Sequence, residues 1–226
     1  MRYQNIVSGR FIDRPNRFIA HVEVSGQVQT VHVKNTGRCK ELLIPGVAVY
    51  LEGNDDPKRR TAWDLVAVEK GDRLINMDSQ APNRVFGEWV RGGNFLPQVT
   101  LVRPEMRYGE SRFDFYIEAG GKKHFVEVKG VTLEENGIVR FPDAPTQRGV
   151  KHLEELIRAH EQGYESWVCF VIQMSGVRWF EPNDCTHPQF GQALRRARDA
   201  GVHVLAVDCV VEPASMMIHN QMPVSL

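Results

Sequence analysis

The pair Gly120-Gly121 lies between two segments, at residues 112–118 and 124–129, in which apolar and polar residues alternate. Two adjacent glycines tolerate the positive φ angles that a two-residue hairpin turn requires. We therefore predict an antiparallel hairpin in a register that places Phe115 opposite Val126. The same alternation is expected to put three apolar side chains on one face: Phe113, Phe115 and Ile117.

In this register the carboxylates of Asp114 and Glu127 face each other, with Cβ atoms about 5 Å apart. Like charges directly opposite destabilise a hairpin, and a divalent cation such as Mg²⁺ or Mn²⁺ bound by both would neutralise them. Lys129 lies on the same face, where it would orient or deprotonate an attacking water or neutralise charge on a phosphate. The Asp…Glu-x-Lys pattern therefore indicates a nuclease-type metal site with these three residues as candidate catalytic residues.

The alternative is a solvent-exposed hairpin face on which Arg112 and Lys129 only screen the acidic side chains. We favour the metal site because the glycine hairpin lies in a predicted α/β core with a helix before and after it. Either interpretation leaves the hairpin itself unchanged.

Three further residues are candidates for the same site. Glu88, on a short predicted helix before the core, would supply a third metal-binding carboxylate, although a solvated helix glutamate explains it equally well. Arg148 and His152 lie four residues apart near the start of a predicted helix, so both can face one DNA phosphate. A histidine at the edge of the core is the other interpretation of His152.

The segments around the hairpin predict an α/β domain, with a mixed sheet flanked by helices, at residues 81–226. Strands are predicted at 112–118, 124–129, 131–133, 138–141, 166–173 and 202–208, and helices at 82–90, 147–162 (capped by Thr146) and 188–200. Residues 1–80, in contrast, predict four or five short strands and no helix, which is typical of a small OB-like β-barrel.

The net charge is zero, but its distribution is uneven. Residues 1–60 contain ten Lys and Arg against six Asp and Glu, and the remainder contains eighteen against twenty-two. A basic N-terminal part and an acidic C-terminal part are expected if one binds DNA phosphates and the other holds a carboxylate site, although chance scatter is the alternative. The basic residues of the predicted turns are the candidate DNA contacts: Arg14, Arg17, Arg38, Lys40, Lys58, Arg59 and Arg60.

Composition argues against several other classes of protein. No segment approaches the run of about 18 apolar residues that a membrane span needs, and the first residues lack the apolar core of a signal peptide. The four cysteines are far apart, so free thiols are the simplest interpretation. We therefore expect a cytoplasmic protein without a membrane partner. The sequence does not indicate the oligomeric state of the protein.

The sequence resembles the sugar fermentation stimulation protein (SfsA) family over nearly its whole length. The resemblance rests on motifs at residues 35–38, 103–109, 111–115, 126–133, 141–149, 152–156 and 223–226. It implies an N-terminal OB-like domain and a C-terminal domain of the PD-(D/E)xK nuclease fold. The nuclease pattern maps onto Asp114, Glu127 and Lys129, and less closely onto Glu88. Phe113 stands where the pattern has proline.

The resemblance also implies a DNA-binding protein with little sequence preference that regulates maltose and other sugar-fermentation genes. Two functions of different class follow: a DNA-binding regulator on an inherited nuclease scaffold, or a working Mg²⁺-dependent DNA endonuclease. The family role favours the first and the intact Asp, Glu and Lys set favours the second. We predict DNA binding and leave cleavage open. A sugar-binding module ranks last, because the sequence shows no aromatic platform.

Overall fold

The structure is a computed structural model that describes residues 1–35 and 37–226. Its N-terminal part is built from six strands: β1 (Ile6–Asn16), β2 (Ile19–Val24), β3 (Gln27–Val33), β4 (Ala48–Gly53), β5 (Trp63–Lys70) and β6 (Arg73–Asn76). β1 pairs with β2 and β4, and β5 pairs with β4 and, in parallel, with β3. Since β2 also pairs with β3, the first five strands close into the predicted OB barrel.

Strand β1 was not predicted from the sequence. It contains Gly9, Arg14 and Pro15, which interrupt the alternation that marks a strand. Its register with β2 shifts between Phe11 and Asp13 and again before Asn16. Such bulges bend a strand and increase its twist, and here they let one long strand pair with neighbours on both sides of the barrel.

The C-terminal part alternates helices and strands, as expected. Its elements are α1 (Ala81–Arg91), β7 (Val99–Tyr108), β8 (Ser111–Ala119), β9 (Lys122–Val131), β10 (Leu133–Glu135), β11 (Ile138–Phe141), α2 (Gln147–Glu161), β12 (Glu165–Ile172), β13 (Trp179–Pro182), α3 (Pro188–Asp199), β14 (His203–Glu212) and β15 (Ser215–Gln221). The main sheet has the order β15-β14-β12-β9-β8-β7, and β9, β12 and β14 run parallel. A small second sheet contains β10, β11 and β13.

Helices cover both faces of the main sheet. On one face α1 buries Phe86 in a cluster with Phe115 and Val126. On the other face α2 and α3 bury Leu153 and Leu194 in the larger cluster. The fold class is therefore the one expected, an OB barrel followed by an α/β domain with a mixed sheet. No helix in the described part of the chain is long and apolar enough to cross a membrane.

The first three residues pair with the C-terminal part of the chain. The backbone N–H of Tyr3 donates to the carbonyl of Ala214 (2.8 Å), and Arg2 forms a β-bridge with Ser215. The predicted first domain, residues 1–80, therefore includes a short segment that pairs beside β15. This contact joins residues more than 200 positions apart, so local sequence patterns do not reveal it.

The predicted hairpin is present in the predicted register. β8 pairs with β9 from Phe115–Val126 to Ala119–Lys122, and Gly120 and Gly121 have φ angles of 57° and 77°. The regular ladder ends at the Phe115–Val126 pair, so Asp114 and Glu127 lie just beyond its last step.

The expectation that Phe113 shares a face with Phe115 is wrong. Phe113 packs against Phe125 (ring centroids 5.1 Å apart) on the α2 side, whereas Phe115 packs against Phe86 of α1 (5.2 Å). The alternation breaks at Asp114, where the opposite residue of β7, Glu105, has a φ of 54°. The left-handed conformation of Glu105 bends β7 locally, and the end of β8 that pairs with it is bent in the same way.

Candidate metal and nucleic-acid site

Asp114 is fixed at the open end of the hairpin by two hydrogen bonds. Its Oδ2 accepts from the backbone N–H of Val128 (2.8 Å), and its Oδ1 accepts from Nδ2 of Asn83 (2.8 Å) in the first turn of α1. Each carboxylate oxygen can accept a second bond, so both retain capacity for a ligand. Asn83 was not among the predicted site residues, because its contact spans 31 positions and no local motif marks it.

Glu127 is buried, with 3% of its surface exposed, and its two oxygens differ. Oε1 accepts hydrogen bonds from Nζ of Lys129 (2.5 Å) and from Nδ1 of His152. Oε2 is buried and has no hydrogen-bond partner among residues 1–35 and 37–226. An unpaired buried carboxylate oxygen is costly, so this atom is suited to a cation.

His152 orients Glu127 rather than a phosphate. Nε of Arg148 donates to Nε2 of His152 (3.3 Å), and since arginine can only donate, the neutral ring carries its proton on Nδ1, facing Glu127. His152 is 5% exposed and its two ring nitrogens contact Glu127 and Arg148, which favours the core-edge interpretation over a direct contact with DNA. Arg148 is exposed and can still reach a phosphate.

The two carboxyl groups have pKa values that are displaced in opposite directions. Burial and, next, the charge of Glu127 raise the pKa of Asp114 above its ordinary value. Burial alone would raise the pKa of Glu127 too. The hydrogen bond from His152 and the charge of Lys129 outweigh burial, so the pKa of Glu127 is lowered. Glu127 is therefore the more readily ionised of the two carboxyl groups, and Asp114 holds a proton more readily.

Glu88 does not reach this pair. Its Oε2 forms an ion pair with the N-terminal ammonium of Met1 (2.6 Å). Glu88 follows Asn83 by five positions on α1, about 140° around the helix, so the two side chains lie on different faces. The expected third metal-binding carboxylate is therefore not supplied by Glu88, and Asn83 occupies the side of α1 that faces Asp114.

The donor set of the site fits a hard divalent cation. Among the described residues no three His, Cys, Asp or Glu side chains are grouped closely enough to hold a metal by themselves. Mg²⁺ commonly uses only one or two carboxylates and fills its other positions with waters and phosphate oxygens. Asp114 and Glu127 Oε2 would supply those two carboxylate ligands.

A cavity of about 480 Å³ adjoins the site and connects it to the solvent. Asp114 and His152 lie at its inner end, and the exposed Arg112, Arg148 and Lys151 line its walls. Glu105 and Glu110 line the cavity too and form ion pairs with Arg112 (2.9 Å) and Lys151 (3.7 Å), so Arg148 is the wall cation best placed for an approaching phosphate.

The basic residues predicted in the barrel turns fall into two groups. Arg14 donates to four backbone carbonyls, those of Arg17, Asn35, Gly37 and Arg38, at 2.7–2.8 Å. Its guanidinium therefore holds the chain between β3 and β4 against the β1–β2 turn. Both Nη atoms of Arg14 are thus used inside the protein and its Nε is buried, so this arrangement does not support the predicted contact of Arg14 with DNA.

Arg59 is also used internally. Its guanidinium forms a bidentate ion pair with the buried Asp64, which also contacts Nδ1 of His32 (2.9 Å). Asp64 needs this cation because a buried carboxylate without a partner is strongly destabilising. The remaining predicted DNA contacts are exposed: Arg17, Arg38, Lys40, Lys58, Arg60 and Arg148.

Replacing Arg14 is expected to destabilise the barrel. Arg14→Ala leaves four carbonyls without their charged donor, and we expect the free energy of unfolding to fall by about 2–3 kcal/mol. Arg17→Ala, three residues away on an exposed side chain, should cost less than about 1 kcal/mol. Urea unfolding of both variants and the wild type measures the difference, and equal stability of the two variants would contradict the structural role of Arg14.

Comparisons with known proteins agree with this fold over the whole chain. Residues 12–77 match the family model described as the SfsA N-terminal OB domain, and residues 80–215 match the sugar fermentation stimulation protein RE domain. A sugar fermentation stimulation protein homolog of Clostridium beijerinckii is 58% identical over the full length of both chains. A homolog of Ruminiclostridium cellulolyticum is 56% identical, also over the full length of both.

One solved structure covers the whole fold. Pyrococcus furiosus SfsA, solved in complex with Ca²⁺, is 26% identical and superposes with a TM-score of 0.91, over 100% of this chain and 98% of the other.

Proposed function

Since the chain belongs to the SfsA family, we propose that it binds DNA with little sequence preference and holds a divalent cation, Mg²⁺ or Mn²⁺, between Asp114 and Glu127 where it meets the DNA backbone. The observation that carries the proposal is the buried, unpartnered Oε2 of Glu127 beside a second carboxylate and Lys129. The Ca²⁺ of the Pyrococcus furiosus relative supports it, because Ca²⁺ also prefers oxygen ligands.

Each side chain of the site has a distinct task in this proposal. Asp114 and Glu127 bind the cation, Asn83 orients Asp114, and His152 orients Glu127. When bound, the cation would stabilise negative charge on a phosphate and lower the pKa of a coordinated water. The ammonium of Lys129 is placed beside Glu127 to orient that water or to neutralise charge as it develops on phosphate.

The exposed basic residues would provide the sequence-independent part of DNA binding. Contacts from Lys and Arg to phosphates supply affinity without reading bases, in agreement with little sequence preference. Regulation of maltose and other sugar-fermentation genes is the physiological part of the proposal, and it rests on the family resemblance and the family name alone.

A second candidate function is Mg²⁺-dependent DNA endonuclease activity. It is favoured by the intact set of Asp114, Glu127 and Lys129, in which the lysine ammonium stands beside a carboxylate that would bind the cation. Incubation of the protein with supercoiled plasmid in Mg²⁺, Mn²⁺ or EDTA tests it. Nicking that requires the cation supports the endonuclease, and intact plasmid in all three conditions contradicts it.

Affinity for duplex DNA should depend steeply on salt concentration. Each phosphate contact on B-DNA contributes about −0.9 to the slope of log affinity against log salt. If Lys58 and Arg60 each contact a phosphate, the double alanine variant should have a slope less steep by about 2. The control is Lys123→Ala, an exposed lysine beside the hairpin turn of β9.

Fluorescence anisotropy titrations at several salt concentrations measure these slopes. If the double variant has the same salt slope as the wild type, the β4–β5 loop does not contact the DNA phosphates. Wild-type binding that does not respond to salt would contradict phosphate binding altogether.

A further inference from the structure

The turn between β1 and β2 presents an exposed aromatic ring on a fixed backbone. Phe18 is 44% exposed, yet Oδ1 of Asn16 accepts hydrogen bonds from the N–H groups of Phe18 (2.9 Å) and Ile19 (3.1 Å). The carbonyl of Phe18 also accepts from the N–H of Val33 (2.8 Å). A single exposed apolar side chain is ordinary on a protein surface, but a pre-ordered one loses little conformational entropy when it binds a ligand.

The neighbours of this ring are cations. The guanidinium of Arg17 lies 4.8 Å from the centroid of the Phe18 ring, and Arg14 holds the carbonyl of Arg17 at 2.7 Å. The guanidinium of Arg17 therefore covers one face of the ring, and the exposed surface that remains is available to a planar apolar ligand next to this positive charge.

A second basic loop lies at the same end of the barrel. Ile19 pairs with His32, and His32 pairs with Asp64, so the β1–β2 turn and the β4–β5 loop are separated by two strand spacings, about 10 Å. That loop carries the exposed Lys58 and Arg60 on the β5 side of the exposed Asp55 and Asp56. A strand bound at Phe18 would have Lys58 and Arg60, together with Arg17, available for its phosphates.

We propose that Phe18 stacks against an unpaired base of a DNA strand whose phosphates contact Arg17, Lys58 and Arg60. An exposed ring next to a cation matches the chemistry of a single strand, which offers bases and phosphates together. In a duplex the bases are stacked on each other and cannot reach the ring. The proposal rests on the proposed DNA binding and adds that this end of the barrel selects single-stranded DNA.

This end of the barrel adjoins the segment that leads to the metal site. Lys34, which follows β3, contacts Oδ2 of Asp78 (2.8 Å), and Oγ of Ser79 donates to the carbonyl of Lys34 (2.6 Å). Helix α1 begins just after these residues and carries Asn83, which binds Asp114. A strand held at Phe18 is therefore bound on the side of the barrel from which α1 enters the site.

The test compares wild type, Phe18→Leu, Phe18→Tyr and Val28→Ala. Val28 is 64% exposed and lies beside the β2–β3 turn at the other end of the barrel, so it controls for loss of an exposed apolar side chain. Binding is measured in EDTA by fluorescence anisotropy with a single-stranded oligonucleotide and with the blunt duplex of the same sequence. A second single strand carries 2-aminopurine, whose fluorescence is quenched when it stacks on an aromatic ring.

We expect Phe18→Leu to weaken binding of the single strand about tenfold, to leave duplex binding unchanged and to abolish the quenching. Phe18→Tyr should restore both the affinity and the quenching, and Val28→Ala should behave as the wild type. Single-strand binding by Phe18→Leu equal to the wild type, or an equal loss on duplex, would overturn the stacking proposal and leave DNA binding intact. A wild type that binds neither DNA contradicts both.

Discussion

Saturating Mg²⁺ or Mn²⁺ is expected to raise the melting temperature of the wild-type protein by several degrees and to leave that of Asp114→Asn unchanged. A cation that binds only the folded state stabilises it by about 2.7 kcal/mol at 100 times its Kd. For a chain of this size that corresponds to roughly 5–10 °C. The gain is large because the cation satisfies the unpartnered Oε2 of Glu127 and removes the repulsion between the two carboxylates.

Without metal, Asp114→Asn should be as stable as the wild type or more stable. The substitution removes one of two neighbouring carboxylates, and the asparagine oxygen can still accept from the N–H of Val128. Glu105→Gln is the matched control, since Glu105 is an exposed acid opposite Asp114 on β7. Thermal unfolding of the three proteins in EDTA, Mg²⁺ and Mn²⁺ measures the stability of each and its gain from the cation. Equal shifts of wild type and Asp114→Asn would show that the cation binds elsewhere.

The second large effect is expected for Lys129→Met in DNA cleavage. Loss of one pre-oriented cationic group at a reacting phosphate costs about 10²–10³ in rate, and lysine is not a metal ligand. The variant should therefore lose nicking of supercoiled plasmid while keeping the metal-induced rise in melting temperature. Lys151→Met is the control, because Lys151 lines the cavity but does not contact Glu127 within the described residues.

Single-turnover nicking assays in Mn²⁺ measure both variants against the wild type. Nicking by Lys129→Met at the wild-type rate, or an equal loss in Lys151→Met, would contradict the role given to Lys129. A wild-type protein that leaves the plasmid intact removes the endonuclease candidate and leaves the proposed DNA binding to be judged by affinity.

The hairpin that carries the site could be predicted because its determinants are local. Gly120 and Gly121 both adopt positive φ, and the pairing of Phe115 with Val126 follows from where the turn lies. Helix α2 was predictable for the same reason, since Oγ1 of Thr146 accepts from the N–H of Gly149 (3.0 Å) at its start.

The contacts that complete the site were not predictable, because they join distant parts of the chain. Asn83 reaches Asp114 across the space between α1 and β8, and His152 reaches Glu127 from α2. From α1 the sequence suggested Glu88 as a third carboxylate, but its side chain forms an ion pair with the N-terminal ammonium of Met1.

The sequence also could not show which basic residues are free to contact DNA. The sequence does not distinguish Arg17, which is exposed, from Arg14, whose donors bind carbonyls, or from Arg59, which neutralises the buried Asp64. An arginine in a turn is a phosphate contact only if no buried acceptor uses it, and burial of Asp64 is set by the closure of β3 onto β5.

The central claim is that Asp114 and Glu127 hold one divalent cation, and the most direct test is the position of Mn²⁺ in crystals of the protein. The anomalous scattering of Mn²⁺ locates the ion without reference to activity. We expect one strong anomalous peak in contact with Asp114 and Oε2 of Glu127 in the wild type, and none at this place in Asp114→Asn. A saturated wild-type crystal with its Mn²⁺ peak elsewhere, or with the same peak in Asp114→Asn, would contradict the claim.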